Sequence, residues 1–205
     1  ALKLLNEEGE FISAETGGMN VPYGMTLGPD GDLYVTSTRT EIFPDFDPRV
    51  LKFDSHTGAY LGVFASNSAM SGPADLTFGP DGNLYVADSS ANVFRFDGNT
   101  GASMGIFASG HPGDSYRGLA WGPDGNLYVG TVADHFDRFN GVTGVSMGIL
   151  PAPQANSIHN VAFGPDGLLY GGDYFGSSVY AYNMVTGEFV KSFDGLGGAN
   201  GLAFN

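Results

Sequence analysis

The sequence contains no cysteine, which excludes disulfide bridges, thiolate metal sites and cysteine nucleophiles. Basic residues are also few: eight Lys and Arg stand against 22 Asp and Glu, giving a formal net charge of −14. Nucleic acids and anionic lipid surfaces repel such a chain, so neither is expected as a partner. No run of 18 apolar residues is present, and we expect no membrane insertion. Because the chain begins with Ala1 rather than Met, we expect a mature secreted protein, extracellular or periplasmic.

Charged residues make up only 15% of the chain, whereas glycine is abundant with 33 copies. This composition favours short strands joined by tight turns over long solvated helices. A tetrapeptide followed by Leu-Tyr recurs four times, and its first glycines are 51, 43 and 42 residues apart. The four copies are Gly28-Pro29-Asp30-Gly31, Gly79-Pro80-Asp81-Gly82, Gly122-Pro123-Asp124-Gly125 and Gly164-Pro165-Asp166-Gly167. The chain is therefore an internal repeat.

Two further markers keep a spacing of 43 residues through all four copies. The first series is Phe53, Phe96, Phe139 and Tyr182, and the second is Phe64, Phe107, Leu150 and Phe193. A turn ending in Thr-Gly stands between the two markers of each copy, as in Thr100-Gly101. Two markers in register indicate a structural unit of about 43 residues.

Each unit is predicted to form four antiparallel strands, a to d. Strand a ends at the Gly-Pro-Asp-Gly turn, where Pro presets φ and the second Gly accepts a positive φ. Strand b contains Leu-Tyr, strand c follows, and the Thr-Gly turn leads to strand d. A single sheet of this kind cannot bury both faces, whereas a ring of stacked sheets can. We therefore predict an all-β propeller with almost no helix, and a solenoid of the same units is the alternative.

The two chain ends are predicted to close the ring as one further blade, which makes five. Leu4-Leu5-Asn6 matches strand c, and Gly201-Leu202-Ala203-Phe204 matches strand a. No strand b is evident for this blade: either residues beyond the given termini supply it, or a neighbouring molecule does, or the blade is defective. The predicted single domain 1–205 has strands c and d in 1–20, blades at 21–71, 72–115, 116–158 and 159–199, and strand a in 200–205.

The repeat resembles known propeller families. The segment from Pro22 to Val35 resembles NHL-repeat propellers, and it looks like blades of virginiamycin B lyase and of the SMP-30/gluconolactonase group. Phe94 to Gly101 is similar to a hairpin of NHL-type repeats in secreted bacterial proteins. The resemblance implies a propeller fold, and because binding proteins and enzymes share these repeats it does not choose between them.

The same resemblance places ligands at the channel mouth, where strands a begin and strands b end. The residues predicted to bind a ligand there are Tyr23, Asp75, Asp88, Arg117, His159, Asn160, Asp173 and Asn200. SMP-30-type lactonases hold a divalent cation at this mouth with Glu, Asn and Asp, and virginiamycin B lyase-like enzymes use a His and a Glu with a metal. Asn160, Asn200, Asp75, Asp88 and Asp173 are oxygen ligands of the kind such a cation needs, and His159 matches the His. The matching Glu is not evident, so no catalytic or metal residue is assigned.

The remaining histidines are interpreted as surface residues. His56 lies in a turn between strands c and d, His111 before a strand a, and His135 before a strand c. Because they belong to different elements, we expect them to lie far apart.

The first full repeat carries eight extra residues, within 38–49. Long propeller loops are more often functional than short ones. Phe43 and Phe46 are expected to be exposed apolar groups that contact a partner. Asp45 and Asp47 are acceptable Ca²⁺ ligands, although two carboxylates do not make a site.

These observations favour a secreted, non-catalytic binding or assembly propeller over an enzyme. Its expected ligand is a protein, a small molecule or a glycan, recognised through the channel mouth and the 38–49 loop, and no cofactor is assigned beyond the Ca²⁺ option. The alternatives are a metal-dependent lactonase or lyase and a structural subunit that forms oligomers or filaments by strand completion.

Overall fold

The computed structural model describes residues 4–5, 11–13, 22–38, 47–196, 201, 202 and 204. These residues contain eighteen strands and no helix, as the period-2 patterns predict. Consequently, no helix in the described part of the chain is long and apolar enough to cross a membrane.

The strands form four four-stranded antiparallel sheets and one two-stranded sheet. The sheets are β3-β4-β5-β6, β7-β8-β9-β10, β11-β12-β13-β14 and β15-β16-β17-β18, and the short sheet is β1-β2. The strand bounds are β1 Leu4–Leu5, β2 Phe11–Ser13, β3 Pro22–Leu27, β4 Leu33–Ser37, β5 Arg49–Phe53, β6 Tyr60–Ser66, β7 Pro73–Phe78, β8 Leu84–Asp88, β9 Asn92–Phe96, β10 Ser103–Ser109, β11 Tyr116–Trp121, β12 Leu127–Thr131, β13 His135–Phe139, β14 Ser146–Pro151, β15 Ile158–Phe163, β16 Leu169–Asp173, β17 Ser178–Tyr182 and β18 Phe189–Phe193. The predicted strands a, b, c and d of each unit are confirmed.

The number of blades differs from the prediction: the described residues form four complete blades, not five. At the N-terminus, β1 and β2 pair with each other alone in their sheet. At the C-terminus, Gly201, Leu202 and Phe204 lie outside any strand, where a strand a was predicted. Asn200, Ala203 and Asn205 lie outside the described residues.

The chain divides into two compact units. The first unit comprises Ala1–Val86 with Phe94–Gly105, and the second comprises Ala87–Val93 with Ile106–Asn205. The division therefore passes through strands of the sheet β7–β10.

In the first unit, an aromatic side chain from strand b lies between its own sheet and the next strand a. The ring of Tyr34 packs edge-on against Phe64 and Phe78, with centroids 4.8 and 5.0 Å away. Phe53 and Phe96, members of the first aromatic series, are fully buried. Burial of such rings supplies most of the free energy that holds successive sheets together.

The second unit repeats this arrangement. Tyr128 of β12 packs edge-on against Phe163 of β15, with ring centroids 5.1 Å apart. Phe139 and Tyr182 are fully buried, as their register predicts. The start of β11 lies so close to β15 that a Cβ on Gly118 would stand 2.9 Å from the Cα of Asn160. This close approach brings the first residues of both strands a together.

Candidate functional site

The second unit brings three predicted ligand-binding residues together. Arg117 follows the first residue of β11, His159 follows the first residue of β15, and Asp173 ends β16. The charges of Arg117 and Asp173 both act on the imidazole of His159, in opposite directions. The register of β15 and β16 places Ile158, the neighbour of His159, opposite Asp173.

An exposed aromatic surface is built on this frame by His159, Tyr174 and Phe175. The rings of His159 and Tyr174 are stacked, with centroids 4.6 Å apart and an angle of 10° between their planes. Phe175 stands edge-on to both, at 6.3 Å from His159 and 5.0 Å from Tyr174. Phe175 is 73% exposed and Tyr174 is 40% exposed. Two exposed rings on one loop thus adjoin the partly buried ring of His159 at a strand end.

The buried carboxylate of Asp173 holds the loop that carries two of these rings. Its Oδ1 accepts hydrogen bonds from the backbone N–H groups of Phe175 and Gly176, at 3.1 and 3.0 Å. Its Oδ2 accepts one from the N–H of Asn156 at 3.0 Å. Because both oxygens are used, Asp173 fixes the position of the aromatic loop.

Asp88 has the corresponding position at the end of β8, and it is also fully buried. Its Oδ1 accepts hydrogen bonds from the N–H and the hydroxyl of Ser90, at 2.9 and 2.6 Å. In the same turn, Ala91 adopts a φ of 58°. Asp88 therefore organises the turn from β8 to β9, which is a common use of an Asp side chain.

The electrostatics of the aromatic surface favour a neutral imidazole. Burial lowers the pKa of His159 below its usual value, and the positive charge of Arg117 lowers it further, whereas Asp173 acts in the opposite direction. Because its usual value is already about 6.5, this lowering of the pKa favours the uncharged form of His159 at neutral pH. An uncharged ring stacked on Tyr174 presents a face that an apolar group can contact.

Two of the predicted residues belong to the first unit. Tyr23 is about half exposed, and Asp75 is partly buried, with its Oδ1 accepting a hydrogen bond from the N–H of Leu76 at 2.9 Å. A Cβ on Gly24 would come within 2.6 Å of Asp75, so β3 and β7 approach closely there. Asn160 of the second unit is partly buried, and Asn200 lies outside the described residues.

The 38–49 loop is described only at its ends, and Phe43, Asp45 and Phe46 lie outside the described residues. Asp47 and Pro48 line a cavity of about 420 Å³ in the first unit. The other residues that line it are Ser66, Asn67, Ser68, Met70 and Ser71. The described end of the loop thus borders a partly polar concavity.

The prediction that the histidines lie far apart is wrong for two of them. The rings of His111 and His135 are edge-on with centroids 6.2 Å apart, and Asp114 and Asp137 lie beside them. The strand β13 starts at His135, and the connection before β11 folds back onto it, so separation along the chain does not separate the side chains. The sequence carried one signal of this cluster: Asp137 occupies the position that Leu51, Phe94 and Tyr180 occupy in the other three units.

The four repeated four-stranded antiparallel sheets define the chain as a β-propeller. Comparison with solved structures supports this class. Virginiamycin B lyase from Staphylococcus aureus, as a catalytically inactive variant with quinupristin, matches with a TM-score of 0.71 and 17% sequence identity. The selenomethionine-substituted enzyme matches with a TM-score of 0.69 and the same identity.

Both matches cover 93% of this chain and 61% of the lyase chain. The chain therefore spans less than two thirds of the length of these structures. The predicted resemblance to virginiamycin B lyase-like propellers is confirmed as a similarity of fold. No protein-family model matches the sequence, and no curated protein matches it significantly.

Proposed function

We propose that the protein is a non-catalytic binding propeller whose ligand is a small molecule with a flat apolar face, such as a pyranose ring of a glycan. The observation that carries this proposal is the exposed aromatic surface of His159, Tyr174 and Phe175. Large exposed rings lose water when a flat ligand covers them, and they lose little conformational entropy because they have few rotatable bonds. The Asp173 hydrogen bonds position the loop before a ligand arrives, which favours affinity.

The surroundings of the aromatic surface also supply polar recognition. Arg117 lies near His159 and offers a cation with several N–H donors. A neutral imidazole adds one donor and one acceptor. An apolar platform with a few polar groups at its edge is the usual composition of a small-molecule site.

The state of the carboxylates supports binding rather than catalysis. A general acid, general base or metal ligand needs an oxygen that can reach the substrate or the ion. The Oδ1 of Asp88 and the Oδ1 of Asp173 instead accept hydrogen bonds from donors of their own turns, and the Oδ2 of Asp173 accepts one from the N–H of Asn156 in the connection before β15. His159 and Tyr174 are the titratable side chains of the aromatic surface, and no described Glu belongs to it.

Saturation-transfer NMR with a panel of soluble oligosaccharides tests the proposal. We expect transfer to ring protons of at least one oligosaccharide, and about tenfold weaker binding for Phe175→Ala and for Tyr174→Ala. Val185→Ala is the matched control, because Val185 is a highly exposed apolar residue of the same blade, in the turn after β17. Equal binding by all three variants would contradict the proposal. Absence of saturation transfer from the protein to any oligosaccharide of the panel would contradict it as well.

The similarity to virginiamycin B lyase, whose inactive variant was solved with quinupristin, supports the alternative function, a metal-dependent lactonase or lyase. Liquid chromatography of quinupristin incubated with the protein and Mg²⁺ separates the two functions. A new product that disappears with His159→Ala and with a chelator would establish the lyase and overturn the non-catalytic function. We expect unchanged quinupristin.

Secretion and recognition through the 38–49 loop are further parts of the proposal. The cavity next to Asp47 and Pro48 supports a contact role for that loop. Deletion of 39–46 should weaken capture of a macromolecular partner. The same deletion should leave oligosaccharide binding at the aromatic surface unchanged, which the saturation-transfer NMR experiment measures.

A further inference from the structure

A cluster of two histidines and two aspartates lies in the second unit, apart from the residues of the aromatic surface. His111 and Asp114 belong to the connection between β10 and β11, and His135 and Asp137 belong to β13. One ligand atom from each side chain lies within 4.8 Å of all the others. We call these four residues the His/Asp cluster.

The atoms that face one another in this cluster are the Nδ1 of His111, the Oδ2 of Asp114, the Nε2 of His135 and the Oδ1 of Asp137. The Nδ1 of His111 lies 3.3 Å from the Oδ1 of Asp137 and 4.0 Å from the Oδ2 of Asp114. The Nε2 of His135 lies 3.3 Å from the Oδ2 of Asp114 and 3.9 Å from the Oδ1 of Asp137. Each histidine therefore faces both carboxylates.

Asp137 supplies an independent indication that a cation belongs there. Its side chain is only 2% exposed, and its Oδ1 has no hydrogen-bond partner among the described residues. The His111 ring nitrogen at 3.3 Å lacks the geometry of a hydrogen bond. Removing a carboxylate oxygen from water without a partner is strongly unfavourable, and a bound cation removes that penalty. This orphaned oxygen points into the cluster.

The other oxygen of Asp137, Oδ2, accepts a hydrogen bond from outside the cluster. Tyr116, which is fully buried, donates a hydrogen bond from its hydroxyl to Oδ2 at 2.5 Å. A Cβ on Gly110 would collide with this Tyr116–Asp137 pair, so the glycine makes room for it. A ligand oriented by a hydrogen-bonded outer neighbour is a general feature of metal sites.

The donor set and its spacing match zinc. Two imidazole nitrogens and two carboxylate oxygens are ordinary Zn²⁺ ligands, and a tetrahedron with bonds of about 2.0–2.1 Å has edges of about 3.3 Å. Two of the four distances given above equal that edge, and the other two exceed it by less than an ångström. Two carboxylates and two neutral imidazoles also balance the charge of a divalent ion.

We propose that His111, Asp114, His135 and Asp137 form a structural Zn²⁺ site that ties the connection before β11 to strand β13. Four protein ligands leave no open coordination position, which is the arrangement of a structural rather than a catalytic zinc. The site is open to solvent at His111, whose side chain is 58% exposed, so zinc can enter there. Among the four described blades, this one alone has an Asp at that position of strand c, since β5, β9 and β17 carry Leu51, Phe94 and Tyr180 there.

Titration of chelator-treated protein with Zn²⁺ against a chromophoric competitor tests the proposal. We expect one Zn²⁺ per chain at micromolar or tighter affinity, and a higher Tm in the presence of zinc because the ion binds the folded state. His111→Ala should weaken binding by about 100-fold or more. His56→Ala is the matched control, since His56 is an exposed histidine in the turn between β5 and β6.

Asp137→Asn tests the buried ligand. If Asp137→Asn fails to fold, His111→Ala still tests the proposal. Replacing Zn²⁺ by Co²⁺ gives a second readout: we expect the intense visible absorption of four-coordinate cobalt, lost in His111→Ala and kept in His56→Ala. No binding of Zn²⁺ at micromolar concentrations would overturn the proposal. Binding that survives both His111→Ala and Asp137→Asn would overturn it as well.

Discussion

The aspartate of each Gly-Pro-Asp-Gly turn makes the same two contacts in all four blades. Its Oδ1 accepts a hydrogen bond from the N–H two residues later, at 3.1–3.3 Å. Its Oδ2 accepts one from the Tyr hydroxyl four residues later, at 2.8–3.1 Å. The first contact is a common use of an Asp side chain in a turn. The second explains why Leu-Tyr follows every turn.

Tyr85→Phe should destabilise the protein by about 1.5 kcal/mol, since a hydrogen bond to a charged group is lost. The hydroxyl of Tyr85 donates to Asp81 at 2.9 Å, and the Phe ring keeps the packing. Urea unfolding of both proteins gives the difference. Tyr60→Phe is the control because the Tyr60 hydroxyl makes no hydrogen bond with a described residue, and a loss equal to that of Tyr85→Phe would contradict this account.

At the scale of the element, the turn between strands c and d uses Asp in two blades and Asn in the other two. Asp97 and Asn140 each accept hydrogen bonds from the N–H groups two and three residues later through Oδ1. Asp54 and Asn183 accept the same two hydrogen bonds in the first and fourth blades along the chain. The glycine that ends each turn has a φ between 70° and 76°. The turn therefore needs an acceptor oxygen and no charge.

Asp97→Asn should lower the Tm only slightly, because the side-chain oxygen that accepts from Asn99 and Thr100 is kept and only its charge is lost. Asp97→Ala should lower the Tm, because the acceptor is lost and the turn is left with fewer hydrogen bonds. Differential scanning calorimetry of the two variants measures both effects. Equal losses would mean that the negative charge of Asp97, rather than its oxygen, stabilises the turn.

For the whole molecule, the Asp81–Tyr85 and Asp124–Tyr128 pairs predict how stability depends on pH. Burial raises the pKa of Asp81 and Asp124, but hydrogen bonds from Asn83 and Asn126 and from the tyrosines outweigh it, and the net shift is downward. Burial and the hydrogen bond to its aspartate raise the pKa of Tyr85 to about 12, and burial with the charge of Asp124 raises that of Tyr128 to about 12.

Stability should therefore be highest on a plateau at intermediate pH. Lowered carboxylate pKa values give stability that is present above the unfolded value of about 3.9 and is lost as the pH falls below it. Raised phenol pKa values give stability that is present below about pH 10 and is lost as the pH rises towards 12. Urea unfolding across the pH range, with phenolate absorbance, measures both limbs. An unfolding free energy that stays constant between pH 10 and 12 would contradict the alkaline limb.

The sequence predicted much of the fold because the same turn residues and strand pattern recur in all four units. Turn residues, alternating strands and the aromatic markers Phe53, Phe96, Phe139 and Tyr182 were all readable, and the four sheets follow them. The fifth blade was the exception, because a match of short end segments to strands c and a carries no information on whether they pair. The ligand-binding residues of the strand ends remain predictions.

What the sequence alone determined is the blade, since its turns and its period of two depend on neighbours along the chain. The tertiary structure decided which side chains from different elements meet. His159 stacks on Tyr174 because β15 and the loop after β16 end side by side, and His111 reaches Asp137 because the connection before β11 folds onto β13. Such contacts arise from the packing of sheets and loops. No local sequence pattern predicts a contact between two residues that are 15 or 26 positions apart along the chain.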